Sequence, residues 1–504
     1  MVDVTAAEVK DRLGVDVCDV RLAIWLLLTV GFLLRLIFLA GPIASDDTRY
    51  LVYADRFLTL SRFSTLDHAG GRLLFLLLVG WPVKLFGHAV YGALANVVYA
   101  TMLDLLVVWF CLRELGKHAA LIATLVLVAN PIAILFSGMI LPDLTLAFFL
   151  LAASIALHEA GRTTRPSERY RWVALSGWLA CLAYMCKDPG VLMLPVGGSM
   201  LLFGAPRLPL RERVVGIFCF AGAFAAMFVI DGCVYLAYTG DFLYKIHATA
   251  ACHNAGIPSL GPWEFLLHTT RGFLEKMEDG GAYLVPVLLG IPAMTLSLFF
   301  CPAYRLFAAT GLFVLSFLFF GSSSLTQLLP LPFQLRYLHP ILPFVAISGA
   351  TLAHRFQLSN HPRARIAVPL LCLAVLFTST AAVVVERAGT YYRAPWMKSV
   401  GVAVESLRGE DKPFFVDERT LSHLPHFLSR ESLSRVTLVP EKGELPAGFY
   451  LFDPRTPSLS RQRIEEIARL KVRSQIALDW RTSNAFRSRS TYKTQHPPVI
   501  VYEK

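Results

Sequence analysis

Long apolar runs separated by short polar turns fill residues 20–386. A helix needs about 20 apolar residues to cross a bilayer. By that measure the runs predict about eleven spans, at 22–40, 90–112, 119–137, 139–157, 171–186, 190–204, 214–238, 282–300, 303–320, 338–353 and 366–386. One stretch breaks the pattern. Residues 72–88 are apolar but short and carry Trp81, Pro82 and Lys84, which suits an interfacial or re-entrant helix inside a long first loop, 41–89. Earlier in that loop, Tyr53, Phe57 and Leu60 recur at helical spacing. From about residue 387 charges become dense, and strand-like runs at 413–416, 448–452 and 498–502 flank an amphipathic helix at 461–470. The expected architecture is a polytopic α-helical membrane domain over 1–386 and a small α/β domain over 387–504.

Composition agrees with this reading. Hydrophobic residues make up 55% of the 504 positions and charged residues 16%, against about 25% charged in soluble proteins. The net charge of +11 does not imply nucleic acid, because Lys and Arg gather in short loops between apolar runs. With the N-terminus inside, Arg113, Lys117, Arg162, Arg165, Arg169, Arg171, Arg207, Arg211, Arg213, Arg305, Arg355, Arg363 and Arg365 all fall on the inner side, as the positive-inside bias requires. An odd number of spans then places residues after 387 outside. Residues 1–18 mix acids and bases, and the run 22–40 is too long for a signal h-region, so it is expected to stay attached as the first span. Cysteines lie mostly within apolar runs, and only Cys233 and Cys252 could share an outer face for a bridge. Histidines are scattered without HExxH or CxxC spacing. His247, His253 and Cys252 share one outer loop, so a divalent metal has slight support and none is assigned.

The residues with chemistry to offer lie on the outer face. Asp46 and Asp47 follow the first span. They are either a solvated turn or a general base toward an acceptor hydroxyl, set at a helix start where the dipole favours a carboxylate. Asp143 follows Pro142 at the head of another span, an ordinary helix start or a second functional acid. Lys187, before Asp188 and Pro189, and Arg336, before Tyr337, put positive charge on the face the loop bias leaves poor in it. Snorkelling explains them, and so does an anionic ligand such as a phosphate. Arg35 lies inside the first span, near enough to its outer end to snorkel or to reach a phosphate. Asp104 lies deeper, is expected to pair within the bundle, and receives no role.

This constellation resembles the membrane glycosyltransferases of the GT-C fold, the branch that includes aminoarabinose transferases and protein mannosyltransferase-like enzymes. The resemblance rests on the acidic pair after the first span and on Pro142-Asp143. It rests also on Lys187-Asp188-Pro189-Gly190 and on Arg336-Tyr337-Leu338-His339-Pro340-Ile341-Leu342-Pro343. It implies a polyprenyl-phosphate sugar donor and a lipid, glycan or protein acceptor on the outer face. Asp46 then matches the catalytic acid, with Asp47 its neighbour, and Asp143 the second acid. Lys187, Arg336, Tyr337 and Arg35 are expected around the donor phosphate. Departure from the family pattern comes at Asp67-His68-Ala69-Gly70-Gly71-Arg72, where acceptor recognition and any family metal site would be read. A transporter or flippase for lipid-linked sugar would use similar charges at mid-membrane, but here they cluster at one face and no inverted repeat is visible. The chain contains no Asn-x-Ser/Thr sequon, which favours a bacterial inner membrane.

Overall fold

The computed structural model describes residues 17–42, 46–204, 209–254, 260–280, 285–322, 328–331, 335–357, 393–407, 409–424, 427–428, 430–441, 443–452, 459–476 and 499–504. The membrane part begins with α1 (Val17–Ile37), α2 (Asp46–Leu58), α3 (Leu73–Phe86) and α4 (Val90–Glu114). It continues with α5 (Lys117–Val128), α6 (Pro131–Ser137), α7 (Asp143–Arg162), α8 (Pro166–Cys186) and, after a 3-10 turn at Asp188–Leu192, α9 (Met193–Phe203). Next come α10 (Leu210–Thr239), α11 (Tyr244–Asn254), α12 (Pro262–Gly280), α13 (Val285–Phe300), α14 (Arg305–Phe320) and α15 (Leu342–Gln357), the last preceded by a 3-10 turn at Leu335–Ile341. Trp25, Leu33, Phe218 and Phe299 project large apolar side chains outward, as lipid-facing helices do. The chain is a multi-pass membrane protein.

Five described helices are long and apolar enough to cross a membrane, six if a bent pair counts as one. Of the other expected spans, 171–186 lies in the unbroken α8 and 190–204, 282–300 and 338–353 form shorter helices, and two departures from the expected bounds have local causes. The predicted span 119–137 bends by 56° between α5 and α6, where the Asn130 side chain accepts from the Ile132 and Ala133 amides and Pro131 takes the first helical position. That is an N-cap followed by a proline start. The predicted span 139–157 begins only at Asp143, because Met139 and Leu141 offer their carbonyls to the Asn96 amide instead of to a helix. The expected span 366–386 lies outside the described residues. The short apolar stretch at 72–88 forms α3, which runs alongside α2 in the same direction, with Phe75 against Tyr50, Gly80 against Ala54 and Lys84 donating to the Leu58 carbonyl.

Beyond the membrane part, α16 (Arg393–Ser406), β1 (Phe414–Val416), α17 (Glu418–His423), α18 (Arg430–Leu433), β2 (Val436–Leu438), β3 (Phe449–Leu451), α19 (Arg461–Ala468), β4 (Lys471–Ile476) and β5 (Val499–Glu503) build a small α/β unit. Its sheet order is β2-β1-β3-β5-β4, with β1 parallel to β2 and β3, and β5 antiparallel to its neighbours. The three apolar runs seen in the sequence are the inner strands β1, β3 and β5. The two missed strands, β2 and β4, are the edges, and β4 is mostly exposed and polar, as edges commonly are. This unit touches the membrane part where Thr48 of α2 bonds His423 Nδ1 of α17 at 2.5 Å.

Candidate active site

Two loops carrying the acids are tied to each other. The Ala40 and Gly41 amides, at the end of the first span, both donate to the Gly138 carbonyl. A Cβ on Gly138 would stand 2.8 Å from the Phe38 carbonyl oxygen, so only glycine allows this crossing. Asp46 therefore opens α2 close to the turn from which Asp143 opens α7. Each carboxylate sits in a first helical turn, where exposed amides favour negative charge.

Cations arrive from two later elements. Lys187 leaves the end of α8 in an extended conformation and donates to Asp143 Oδ1. The turn after it is fixed by Gly190, whose Cβ, if present, would meet the Tyr184 backbone nitrogen at 2.1 Å. Arg336, on the 3-10 turn before α15, donates from Nη2 to Asp46 Oδ2 at 2.8 Å. Tyr337 joins the two pairs: the Lys187 ammonium lies 3.8 Å from its ring centroid and the Arg336 guanidinium 5.5 Å.

Asp46 keeps 27% of its side chain exposed, whereas Asp47 beside it is fully buried. Burial pushes the Asp46 pKa up, but the Arg336 guanidinium, with help from Arg72 and His68, outweighs it and holds the group at about 2. Asp143 is buried, as is Lys187. Four buried atoms around these pairs have no hydrogen-bond partner among the described residues: Tyr50 Oη, Arg72 Nε, Asp143 Oδ2 and Arg336 Nε. Unsatisfied polar atoms are costly and uncommon in folded proteins, and gathered here they offer donors and acceptors to a polar ligand.

Arg35 is placed elsewhere. It is buried in the bundle and donates to Asp104 Oδ2 at 2.6 Å. The expectation that Asp104 pairs internally is met by Arg35, and the two neutralise each other within the helices. Cys233 and Cys252 are free thiols, so the bridge considered between them does not form. Cys252 Sγ instead lies 3.1 Å from His68 Nδ1, while burial pushes His68 below its ordinary pKa.

The sequence reading passed over Arg72, Tyr50 and His339. Arg72 is buried, stacks its guanidinium 4.9 Å from the Tyr50 ring centroid, and acts electrostatically on Asp46, so it is a third cation of the site. A signal for it existed. An arginine immediately before an apolar helix opposes the helix dipole, and that unfavourable place marks it out. His339 is buried in the 3-10 turn with Arg336 and carried no comparable signal.

The helical membrane part with a small α/β unit beside it has the GT-C fold, the fold class of the membrane glycosyltransferases. The family model described as dolichyl-phosphate-mannose-protein mannosyltransferase matches residues 83–249, about a third of the chain. Two crystal structures of ArnT from Cupriavidus metallidurans share the fold over nearly the whole length. The apo state has 14% identity and a TM-score of 0.54, with 96% of this chain and 97% of that chain covered. The state bound to undecaprenyl phosphate has 15% identity and a TM-score of 0.55, with 97% and 98% covered. At such identities the likeness is one of fold. No curated protein matches the sequence.

Proposed function

We propose that this protein transfers a sugar from a polyprenyl-phosphate carrier to a lipid, glycan or protein acceptor at the outer face of a bacterial inner membrane. The observation that carries the reading is the pairing of Asp46 with Arg336 and of Asp143 with Lys187 around one tyrosine ring, beside unsatisfied buried polar atoms. In this reading the chain crosses the membrane eleven times, with the N-terminus inside and residues 387–504 outside as a separate domain.

The acceptor hydroxyl attacks the anomeric carbon from the side opposite the carrier. The new carbon–oxygen bond forms with inversion as the bond from the anomeric carbon to the phosphate oxygen breaks, and its electron pair stays on the phosphate. Asp46 takes the acceptor's proton, as the more accessible acid of its pair. Arg336, Lys187 and Arg72 receive the charge developing on the leaving phosphate, a preorganised electrostatic contribution that is often the largest in a site. Asp143 holds Lys187 in place until the phosphate competes for it. The Tyr337 hydroxyl completes the phosphate's surroundings. Arg35, engaged with Asp104, has no part in this account, and no residue is assigned to a metal.

The experiment is incubation of the purified chain with polyprenyl-phosphate sugars carrying a radiolabel. Consumption of the donor with release of polyprenyl phosphate supports transfer. Counterflow of intact donor across proteoliposomes without consumption would make the protein a transporter, and retention without either would make it a binder.

A further inference from the structure

The helices that carry Asp143 and Lys187 also have inner ends. Helix α7 runs from Asp143 to Arg162, and α8 returns from Arg169 to Lys187. At 1.5 Å per residue the two paths cover about 29 and about 27 Å, close to the roughly 30 Å of hydrocarbon in a bilayer. Their inner ends therefore lie on the membrane face opposite the acids, the face where the basic loops gather.

There the ends of α4, α7, α8, α9 and α14 enclose a cleft of about 820 Å³, within the roughly 300–1,000 Å³ typical of ligand pockets. Its polar side carries Arg162, Arg169 and Arg305 against one carboxylate, Glu114. Its apolar side is formed by residues such as Met200, Leu201, Phe203 and Leu306, with Phe203 strongly exposed. The His158 ring stacks on Tyr304 at its floor, 5.7 Å between centroids. Glu114, His158 and Glu159 are near enough to one another to hold a metal. However, Arg162 and Arg113 already engage Glu114, Arg113 also engages Glu159, and Arg169 engages Glu212. With cations seated on all three carboxylates, the excess positive charge of the rim rests on Arg305 and selects an anion.

An anion-selecting rim above apolar walls, opening among helices at the inner membrane face, matches an amphiphile. We propose that the cleft binds an anionic glycerophospholipid of the inner leaflet, with its phosphate at the arginine rim and its acyl chains along the apolar wall. Basic pockets between membrane helices on the cytoplasmic side suit such headgroups. The inference rests on the membrane topology and not on the transfer reaction. Bound there, the lipid would clamp α7 and α8 against α14.

Arg305 is the residue to change, because it is exposed and its Nε donates only to the Leu298 carbonyl, at 2.9 Å, among the described residues. The purified full-length chain is examined by native mass spectrometry and thermal melting with phosphatidylglycerol, phosphatidylcholine, undecaprenyl phosphate and inorganic phosphate in turn. The expected result is preferential retention of phosphatidylglycerol with a rise in melting temperature. Arg305→Gln should weaken that retention roughly fivefold, the scale of one arginine near an anionic headgroup, and Arg305→Lys should restore most of it. Equal retention of phosphatidylcholine, or an unchanged Arg305→Gln protein, would overturn the proposal. So would an equal effect of inorganic phosphate, or tighter holding of undecaprenyl phosphate at the same rim.

Discussion

Asp46 and Arg336 should respond in opposite directions to one ligand, undecaprenyl phosphate. Arg336 donates to Asp46 at 2.8 Å, and its Nε has no partner among the described residues. Replacing it by Gln removes a charged donor from the phosphate, worth about 1.5–3 kcal/mol, so binding should weaken roughly ten- to hundredfold. Asp46→Asn does the reverse, because the carboxylate competes with the phosphate for the same guanidinium. Lowering the Asp46 pKa from 3.8 to about 2 corresponds to about 2 kcal/mol in favour of the ionised carboxylate. Freed from that competition, the Asp46→Asn protein should bind undecaprenyl phosphate at least as tightly as the wild type and up to roughly thirtyfold more tightly. Calorimetric titration of the detergent-solubilised full chain measures both effects. An Arg336→Gln protein that binds as tightly as the wild type, or an Asp46→Asn protein that loses binding, would refute the shared-guanidinium account.

Further outcomes follow from the same geometry. Because the folded pKa of Asp46 is depressed, the pair is intact above the unbound value of 3.8 and is lost as pH falls through about 2. Wild-type turnover should accordingly show no acid limb from Asp46 down to about pH 3. In Arg336→Gln the effect of burial has less opposition, and an acid limb should emerge at higher pH in the rate profile. Asp143→Asn leaves Lys187 buried beside a neutral partner and should cost about 3–5 kcal/mol. A second change, Lys187→Met, should recover much of the melting temperature without recovering activity. Gly190→Ala forces a methyl to within 2.1 Å of the Tyr184 backbone nitrogen. It should destabilise by about 1–3 kcal/mol and lower turnover, since the turn that presents Lys187 must shift. Thr48→Val removes the bond to His423, and limited proteolysis should then cut residues 393–504 sooner.

Much of this site was legible because carboxylates and cations at the ends of apolar runs have few ordinary explanations. Asp46, Asp143, Lys187 and Arg336 all stood out by that test, and the structure gathers them into two pairs joined by Tyr337. Arg35 stood out for the same reason and was placed differently, because a cation inside a span can be neutralised within the bundle. Its partner Asp104 lies 69 residues away, and no local pattern joins the two. Arg72 was hidden by its setting in a loop read for acceptor recognition, although its position ahead of α3 opposed the helix dipole. Hydropathy located the apolar helices among the described residues but not their breaks. The bend at Asn130 and the late start at Asp143 depend on side-chain caps and on Asn96 reaching two carbonyls, contacts that a windowed apolar count averages away. In the α/β unit the inner strands were legible from their apolar residues. The edge strands were not, because an edge buries too little to need such residues.

The central claim is that Asp46 takes part in transfer from a polyprenyl-phosphate sugar. Its most direct measurement is single-turnover release of polyprenyl phosphate from radiolabelled donor, comparing the wild type with Asp46→Asn at equal donor occupancy. The account predicts release by the wild type and at least a roughly hundredfold slower rate in Asp46→Asn, the scale of a lost general base, with donor still bound. A rate in Asp46→Asn equal to that of the wild type would contradict it.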